Sequence, residues 1–362
     1  MGRDRSRPVT AMNADIVIAT RNRRAALELT VPLWHDELGN RGRIIVVDSS
    51  DDHASVVAGV GALAERGVGR CEVVRGLAGL TKQRNLGLSL VTAPVVIFPD
   101  DDSVPFPGAL DAVLKVYELD TDGRIGAVCT AESPVPPKGV LGSAGAYRMG
   151  PGDKIKQRVA HARARLERRW APDPFILHGR SRWSRFQMPA WAAEEDVVPV
   201  EWMTGFRMSF RTEVIRRIRF NESMSQYALF EDVDASFGVW RTHLVVGARR
   251  GRIYHHRFPG ARGDGVRMGA TQVLNRAYVV CRHAEPGSEA CRGLQAYGRY
   301  KVAQYAAGAW KSAHNRARLR GAVRAQGWVS TLVDAKPEEL DGVYARAMEA
   351  CLRAGAARAG ST

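Results

Sequence analysis

Three short runs of this chain are apolar almost throughout: 15–20 (DIVIAT), 43–48 (RIIVVD) and 95–98 (VVIF). A strand with one wet face alternates polar and apolar residues, and these runs do not, so they predict strands covered on both faces. Between them, 23–38, 54–66 and 80–91 carry apolar residues at helical spacing, with Pro32 predicting a break or kink in the first. A further short strand is expected at 71–74. Buried strands alternating with helices imply a mostly parallel sheet sandwiched by helices. Right-handed crossovers then restrict the topology to an open α/β sandwich.

Ligands bind such sheets beyond the carboxyl ends of the strands. Polar clusters stand at three of those ends: 19–23 (ATRNR), 48–52 (DSSDD) and 100–102 (DDD). Three independent strand ends with this chemistry are expected to meet in one crevice. By contrast, 59–64 (GVGALA) matches a dinucleotide fingerprint but lies inside a helical segment with no strand before it, so it carries no such meaning. The sequence holds no Walker A loop, no GxSxG elbow and no HExxH.

Asp100, Asp101 and Asp102 repel one another, and repulsion of this kind is relieved by protonation, hydrogen bonding or a divalent cation. Mg²⁺ and Mn²⁺ take hard oxygen ligands, often one or two carboxylates plus substrate phosphate. In an extended chain Asp100 and Asp102 share one side and Asp101 takes the other. A solvated acidic turn is the alternative, less apt at the end of a buried strand. In 230–234 (FEDVD), Glu231 and Asp232 begin a helix, which fits either a helix cap or a general base that takes a hydroxyl proton. His255 and His256 close a strand pair ending at 252–258, where at most one can reach a given metal; ordinary surface and core histidines are the plainer reading. Lys82, Arg84 and Asn85 precede the DDD strand on a helix, suited to a diphosphate or simply to solvent.

The net charge of +15 is unevenly placed: residues 1–140 sum to −2 and the remainder to +17. A basic half suits nucleic acid, anionic headgroups or a phosphorylated substrate. A nucleic-acid-binding protein should interleave aromatic and basic residues on a recognisable module, and none is found. Five scattered cysteines without CxxC spacing fit reduced thiols and argue against a zinc site. No apolar run approaches the roughly 20 residues that span a bilayer, and the N-terminus lacks a secretory pattern, so a cytoplasmic chain is expected. Residues 131–200 are expected to be a variable insertion, including a basic helical stretch at 154–170 and Trp183. A basic helical region follows at 261–352, with flexible tails at 1–13 and 353–362.

Taken in order, ATRNR, VVDSSDD, TKQRNLGL, PVVIFPDDD, TGFRMSFR, FEDVD and a late histidine resemble the family 2 glycosyltransferases of GT-A fold. The resemblance covers about 14–260 and is weak at 140–195. It implies a GT-A-type open, mostly parallel nucleotide-binding sheet sandwiched by helices, with a helical C-terminal region. It also implies that Thr20, Arg21, Asn22, Asp48, Ser50 and Asp51 receive the base and ribose of a nucleoside diphosphate sugar, foremost a UDP-sugar. Lys82, Arg84 and Asn85 would lie near its diphosphate, Asp100 or Asp101 near the ribose, and Thr204 and Gly205 along the sugar. Asp102 and His255, with Asp100, would hold Mn²⁺ or Mg²⁺, His256 being the reserve; Asp232, beside Glu231, would be the catalytic base of an inverting transfer. The QxxRW signature of processive synthases is absent, as 238–242 reads GVWRT, so one or a few sugars are added to a glycan, lipid-linked or small-molecule acceptor. Arg262, Arg267 and Arg276 follow the late strand as candidate phosphate clamps. Peripheral contact with the inner face of a membrane and a homodimer complete the expectations. A nucleotidyltransferase on a similar fold is the rival, although 18–30 lacks the glycine-rich phosphate loop such enzymes open with.

Overall fold

The structure is a computed structural model, described over residues 12–140, 175, 187–224, 228–258 and 264–353. The basic stretch 154–170, Trp183 and Arg262 lie outside the described residues. The chain divides into two compact units, the first comprising residues up to 146, 186–220 and 235–260, and the second the remainder.

In the first unit β1 (Ala14–Thr20), β2 (Ile44–Asp48), β3 (Cys71–Arg75) and β4 (Val95–Phe98) run parallel in the order β3-β2-β1-β4. Helices α1 (Arg24–Leu38), α2 (His53–Ala64) and α3 (Leu80–Leu90) connect them. β1, β2 and β4 are buried along almost their whole length, which is why their sequences do not alternate. Helix α3 presses on the sheet through Gly87, where an added Cβ would lie 2.2 Å from Cγ1 of Val17. The register sets Thr20 opposite Asp48 and Asp48 opposite Arg75, while Ala19 bridges to Asp100. The polar ends of four strands therefore stand at one level.

Beyond β4 the sheet becomes mixed. β5 (Ser103–Pro105) is followed by α4 (Ala109–Leu119), then β6 (Ile125–Ser133), β7 (Val197–Pro199), β8 (Met208–Arg211) and β9 (Leu244–His255). β8 lies antiparallel between β4 and β6, β9 runs parallel to β6, and β5 and β7 pair antiparallel with β9. The fold class is as expected, a mostly parallel α/β sheet with helices and a helical C-terminal region.

The expected break at Pro32 and the expected strand pair do not form. Helix α1 runs unbroken through Pro32, because the buried face made by Ala26, Leu27, Thr30, Val31 and Trp34 outweighs one lost amide bond. The anticipated strand pair before His255 is one 12-residue strand. Its polar Arg249–Arg250–Gly251 reads like a turn but is an irregularity: pairing with β6 jumps from Thr130↔Ala248 to Ala131↔Arg252.

The second unit is helical, with Gly265–His283, Glu289–Ala306, Ala313–Gln326, Val329–Asp334 and Leu340–Arg353. Its first and third helices meet backbone to backbone at Gly269 and Gly321, where an added Cβ would come within 1.9 Å of the Arg318 and Val266 carbonyl oxygens respectively. Helix Glu231–Trp240 begins in this unit and continues in the first. No described helix is long and apolar enough to cross a membrane.

Candidate active site

Three carboxylates follow β4 after Pro99, and two arginines partner all three. Asp100 accepts from Arg84 at 3.0 Å. Asp101 accepts from the Thr20 hydroxyl at 2.8 Å and pairs with Arg23 at 2.7 Å. Asp102 pairs with the same Arg23 at 2.6 Å and accepts from the Phe258 amide at 3.0 Å. Two guanidinium charges thus offset two of the three carboxylates, and one negative charge remains. Part of the repulsion is therefore relieved by arginine.

That remaining charge faces an imidazole. Nε2 of His255 lies 3.2 Å from Oδ1 of Asp102, an oxygen that is buried and has no well-directed hydrogen bond. The His255 ring is held by Phe206, stacked on it with centroids 4.6 Å apart at 16°. His256 takes a different course: its amide donates to the Asp102 carbonyl, and its ring packs against Tyr254 and Phe258. Alternation along the strand thus sends one histidine to the carboxylates and the other away.

These contacts set the protonation states. Burial pushes Asp101 up to about 7, against the pull of Arg23. Burial also opposes charge on Asp102, but the neighbouring His255, together with Arg23, brings it down to about 2. For Asp100 burial wins over Arg84, and the carboxyl titrates above its usual range. His255 is raised, since Asp102 and Asp100 outweigh its burial.

A family model described as Glycosyl transferase family 2 matches residues 15–180. Over those residues the chain carries the glycosyl transferase family 2 sequence pattern. The enzyme class follows: a glycosyltransferase. The solved structure of GalNAc-T7 with UDP, GalNAc and Mn²⁺ is similar at 12% identity and a TM-score of 0.51, covering 97% of this chain and 58% of that one. Mannosyltransferase PcManGT from Pyrobaculum calidifontis, in complex with GDP-Man and Mn²⁺, aligns at 16% identity and a TM-score of 0.46 over 95% of this chain and 87% of that one. The structure of S. aureus TarS 1-349 in complex with UDP-GlcNAc aligns at 12% identity and a TM-score of 0.47, covering 95% and 92%. No curated protein sequence matches the chain.

In the glycosyltransferase domain the strand-end residues form one hydrogen-bonded rim. The Asn22 amide donates to Oγ of Ser50 at 2.7 Å, and that hydroxyl donates to Asp48. Asp48 is fully buried, and its other oxygen meets Nδ1 of His53 at 2.6 Å. Asn22 and Asp51 exchange hydrogen bonds at 2.8 and 2.9 Å, with Arg21 alongside at 3.4 Å. Asn22 adopts a left-handed φ of 55°, which asparagine tolerates better than most residues. Lys82 is exposed near the start of α3.

Other expected residues are committed to the scaffold. Arg84 is buried and bridges Asp100 to the Gly205 carbonyl, which ties the DDD turn to the turn Gly205–Arg207. Thr204 precedes that turn and accepts from Arg207. Asn85 exchanges hydrogen bonds with the Phe220 backbone at 2.8 and 3.0 Å, so its amide does not extend from a solvated helix face.

Glu231 and Asp232 stand in the first turn of helix Glu231–Trp240, in the second unit. Glu231 is buried and Asp232 half-buried, with Oδ1 of Asp232 accepting from the Val233 amide. Phe230, just ahead, holds a φ of 74°, a strained conformation for a bulky residue. Asp234, one turn in, accepts from Arg282 at 2.8 and 3.0 Å and meets Nε2 of His283 at 2.8 Å. Arg276, expected as a phosphate clamp, instead sits over the Phe175, Phe230 and Tyr297 rings at 4.1, 4.8 and 4.1 Å, where cation–π attraction holds it.

Sequence reading missed Arg23, Gln83, Phe206 and His53. Gln83 donates to the Thr20 and Val47 carbonyls, both at 2.8 Å, and joins the tips of β1 and β2. Its only sequence signal was a polar residue in the face of a helix that meets the sheet.

The donor set suits a divalent cation. Asp100, Asp102 and His255 offer ligand atoms that all lie within 4.8 Å of one another, and the unsatisfied Oδ1 of Asp102 is among the groups available.

Proposed function

We propose that this glycosyltransferase moves a sugar from a nucleoside diphosphate donor, foremost a UDP-sugar, to an acceptor hydroxyl with inversion at the anomeric carbon. The reading is carried by the trio of Asp100 and Asp102, beyond β4 and inside the family match, with His255 at the end of β9. A divalent ion on Asp102 and His255, with Asp100 beside them, would stabilise charge on the leaving diphosphate as a Lewis acid.

The chain's own residues do the rest. Thr20, Arg21, Asn22, Asp48, Ser50 and Asp51 receive the base and ribose, with Asp101 at the ribose. Lys82 approaches the diphosphate, while Arg84 and Asn85 act one step back by fixing the turns around it. Thr204 and Gly205 line the sugar. Asp232 takes the proton from the acceptor hydroxyl while that oxygen attacks the anomeric carbon from the face opposite the diphosphate. The carbon passes through an oxocarbenium-like state, and Glu231 supports the base from the same helical turn.

In this reading residues 14–260 are the catalytic region, 131–200 belong to the acceptor side, and 261–352 form a basic helical region. That basic region suits a lipid-linked acceptor at the inner face of a membrane; a cell-envelope glycan and a small natural product are the other acceptor classes. The test is product analysis with a panel of nucleotide sugars and Mn²⁺. Release of nucleoside diphosphate is expected, and Asp232→Asn should lower turnover by about 10²–10⁴-fold while donor binding persists. Release of pyrophosphate would replace the reading with a nucleotidyltransferase, and an unimpaired Asp232→Asn would remove Asp232 as base.

A further inference from the structure

Helices Glu289–Ala306 and Ala313–Gln326 form a hairpin in the second unit whose surface carries charge of one sign. Residues 290–333 hold eight Lys and Arg and no Asp or Glu. The exposed stripe of the earlier helix runs through Arg292, Ala296, Arg299, Ala303 and Ala306, and that of the later one through Ala313, Arg316, Arg320 and Val323. Arg316 and Arg320 stand one turn apart, where like charges repel. Helix Leu340–Arg353 of the same unit is built in the ordinary way: its exposed positions mix Asp341, Arg346, Glu349 and Arg353, and Glu349 pairs with Arg353.

The tip of the hairpin presents Trp310, 77% exposed and the most exposed large apolar side chain among the described residues. One such residue alone would mean little, but here it crowns an acid-free face. The turn that presents it is fixed. The Gly308 carbonyl accepts from the Lys311 amide at 3.2 Å and from Nδ2 of Asn315 at 3.1 Å, and the Ser312 hydroxyl caps the later helix by accepting from the Asn315 amide at 3.1 Å. Nε1 of Trp310 donates to the Ala307 carbonyl at 3.2 Å, so the one polar group of the indole keeps a partner when water leaves. Nζ of Lys311 lies 5.7 Å from the ring centroid.

We propose that this hairpin rests on an anionic phospholipid membrane, with Trp310 at the depth of the headgroups and Lys311, Arg316 and Arg320 against lipid phosphates. An indole with a satisfied N–H suits a boundary that is apolar on one side and wet on the other. Each cation near a negatively charged leaflet strengthens binding about fivefold, and the lipid charge relieves the repulsion between Arg316 and Arg320. Nucleic acid is the other polyanion, and its single strands stack on several open aromatic faces. The hairpin offers no such platform. Tyr297 is buried, with Arg276 and Lys301 over its ring at 4.1 and 5.4 Å, and Tyr305 lies under Arg318 at 4.6 Å while its hydroxyl accepts from that guanidinium at 3.1 Å. Contact of this kind would place the basic region beside a lipid-linked acceptor, and in that respect rests on the proposed function; it needs neither the donor, the metal nor Asp232.

The test is flotation of the full-length protein with vesicles of phosphatidylcholine alone and of phosphatidylcholine with one-quarter phosphatidylglycerol, at low and physiological salt. Binding to the mixed vesicles is expected, weakened by salt, with little binding to phosphatidylcholine alone. Brominated acyl chains should quench part of the fluorescence of the eight tryptophans. Trp310→Ala should remove most of that quenching and lower binding about tenfold. Arg316→Gln combined with Arg320→Gln should lower binding by more than about tenfold without lowering Tm, since both side chains are exposed. Equal binding to both kinds of vesicle, flotation with neither, or quenching that persists in Trp310→Ala would overturn the proposal. Binding of a single-stranded oligonucleotide without flotation would replace the membrane by nucleic acid. No turnover is measured, so a failure here leaves the proposed sugar transfer standing.

Discussion

Arg23 is the residue whose replacement tells most about the DDD turn. Its guanidinium lies 2.7 Å from Asp101 and 2.6 Å from Asp102, whose side chains are 5% and 3% exposed. Burial works against its charge, yet the two carboxylates hold its pKa above the ordinary arginine value. At the effective dielectric of a protein surface, each such attraction is about 4 kcal/mol before desolvation is subtracted. Breaking a buried pair by removing one partner costs about 3–5 kcal/mol. Asp101 limits the loss, because its pKa is already about 7 and it can take up a proton once the arginine is gone. We therefore expect Arg23→Met to lower metal-free stability by about 3 kcal/mol. At about 2–4 °C per kcal/mol for a unit of this size, that is a fall in Tm of about 6–12 °C. The assay is thermal unfolding in EDTA and again in saturating Mn²⁺. A divalent ion supplies the charge that Arg23 supplied, so Mn²⁺ should raise Tm more in the variant than in the wild type. A variant within about 2 °C of wild type in EDTA, or one that Mn²⁺ stabilises no more than wild type, would refute the reasoning about how this turn is neutralised.

Two further outcomes follow from the same geometry. Asp101 is raised to about 7 from an unfolded value of 3.8, so the folded, metal-free protein holds an extra proton between those values; that stability is full below about pH 4 and lost as pH rises through about 7. His255, also raised, adds to the same direction, so metal-free Tm should fall from pH 5 to pH 7.5, and less steeply in Asp101→Asn. Gly87→Ala should destabilise by about 1–3 kcal/mol in urea unfolding, because the new Cβ would lie 2.2 Å from Val17 and helix α3 would have to move off the sheet.

What the sequence made legible was local. β1, β2 and β4 were evident because a strand buried on both faces needs apolar residues at every position. The polar tips were evident because a buried strand that stops on charge must meet something there. The antiparallel half of the sheet was less visible: β5 and β7 are three residues each, β8 is four, and β9 carries an irregularity that imitates a turn. The missed side chains share one cause. Arg23 reaches Asp102 across 79 positions and Phe258 across 235, and Phe206 meets His255 only after the sheet has formed. Arg21, Arg23 and Arg24 are alike in sequence, and only the turn at Asn22 decides which one turns inward.

The measurement closest to the central claim is calorimetric binding of UDP to the full-length protein, with and without Mn²⁺, in wild type and Asp102→Asn. The account predicts that Mn²⁺ and UDP bind cooperatively to the wild type, that EDTA abolishes the effect, and that the variant loses at least about tenfold, since Asp102 carries a buried oxygen without a hydrogen-bond partner. UDP binding of equal strength with and without Mn²⁺, unchanged in Asp102→Asn, would contradict it.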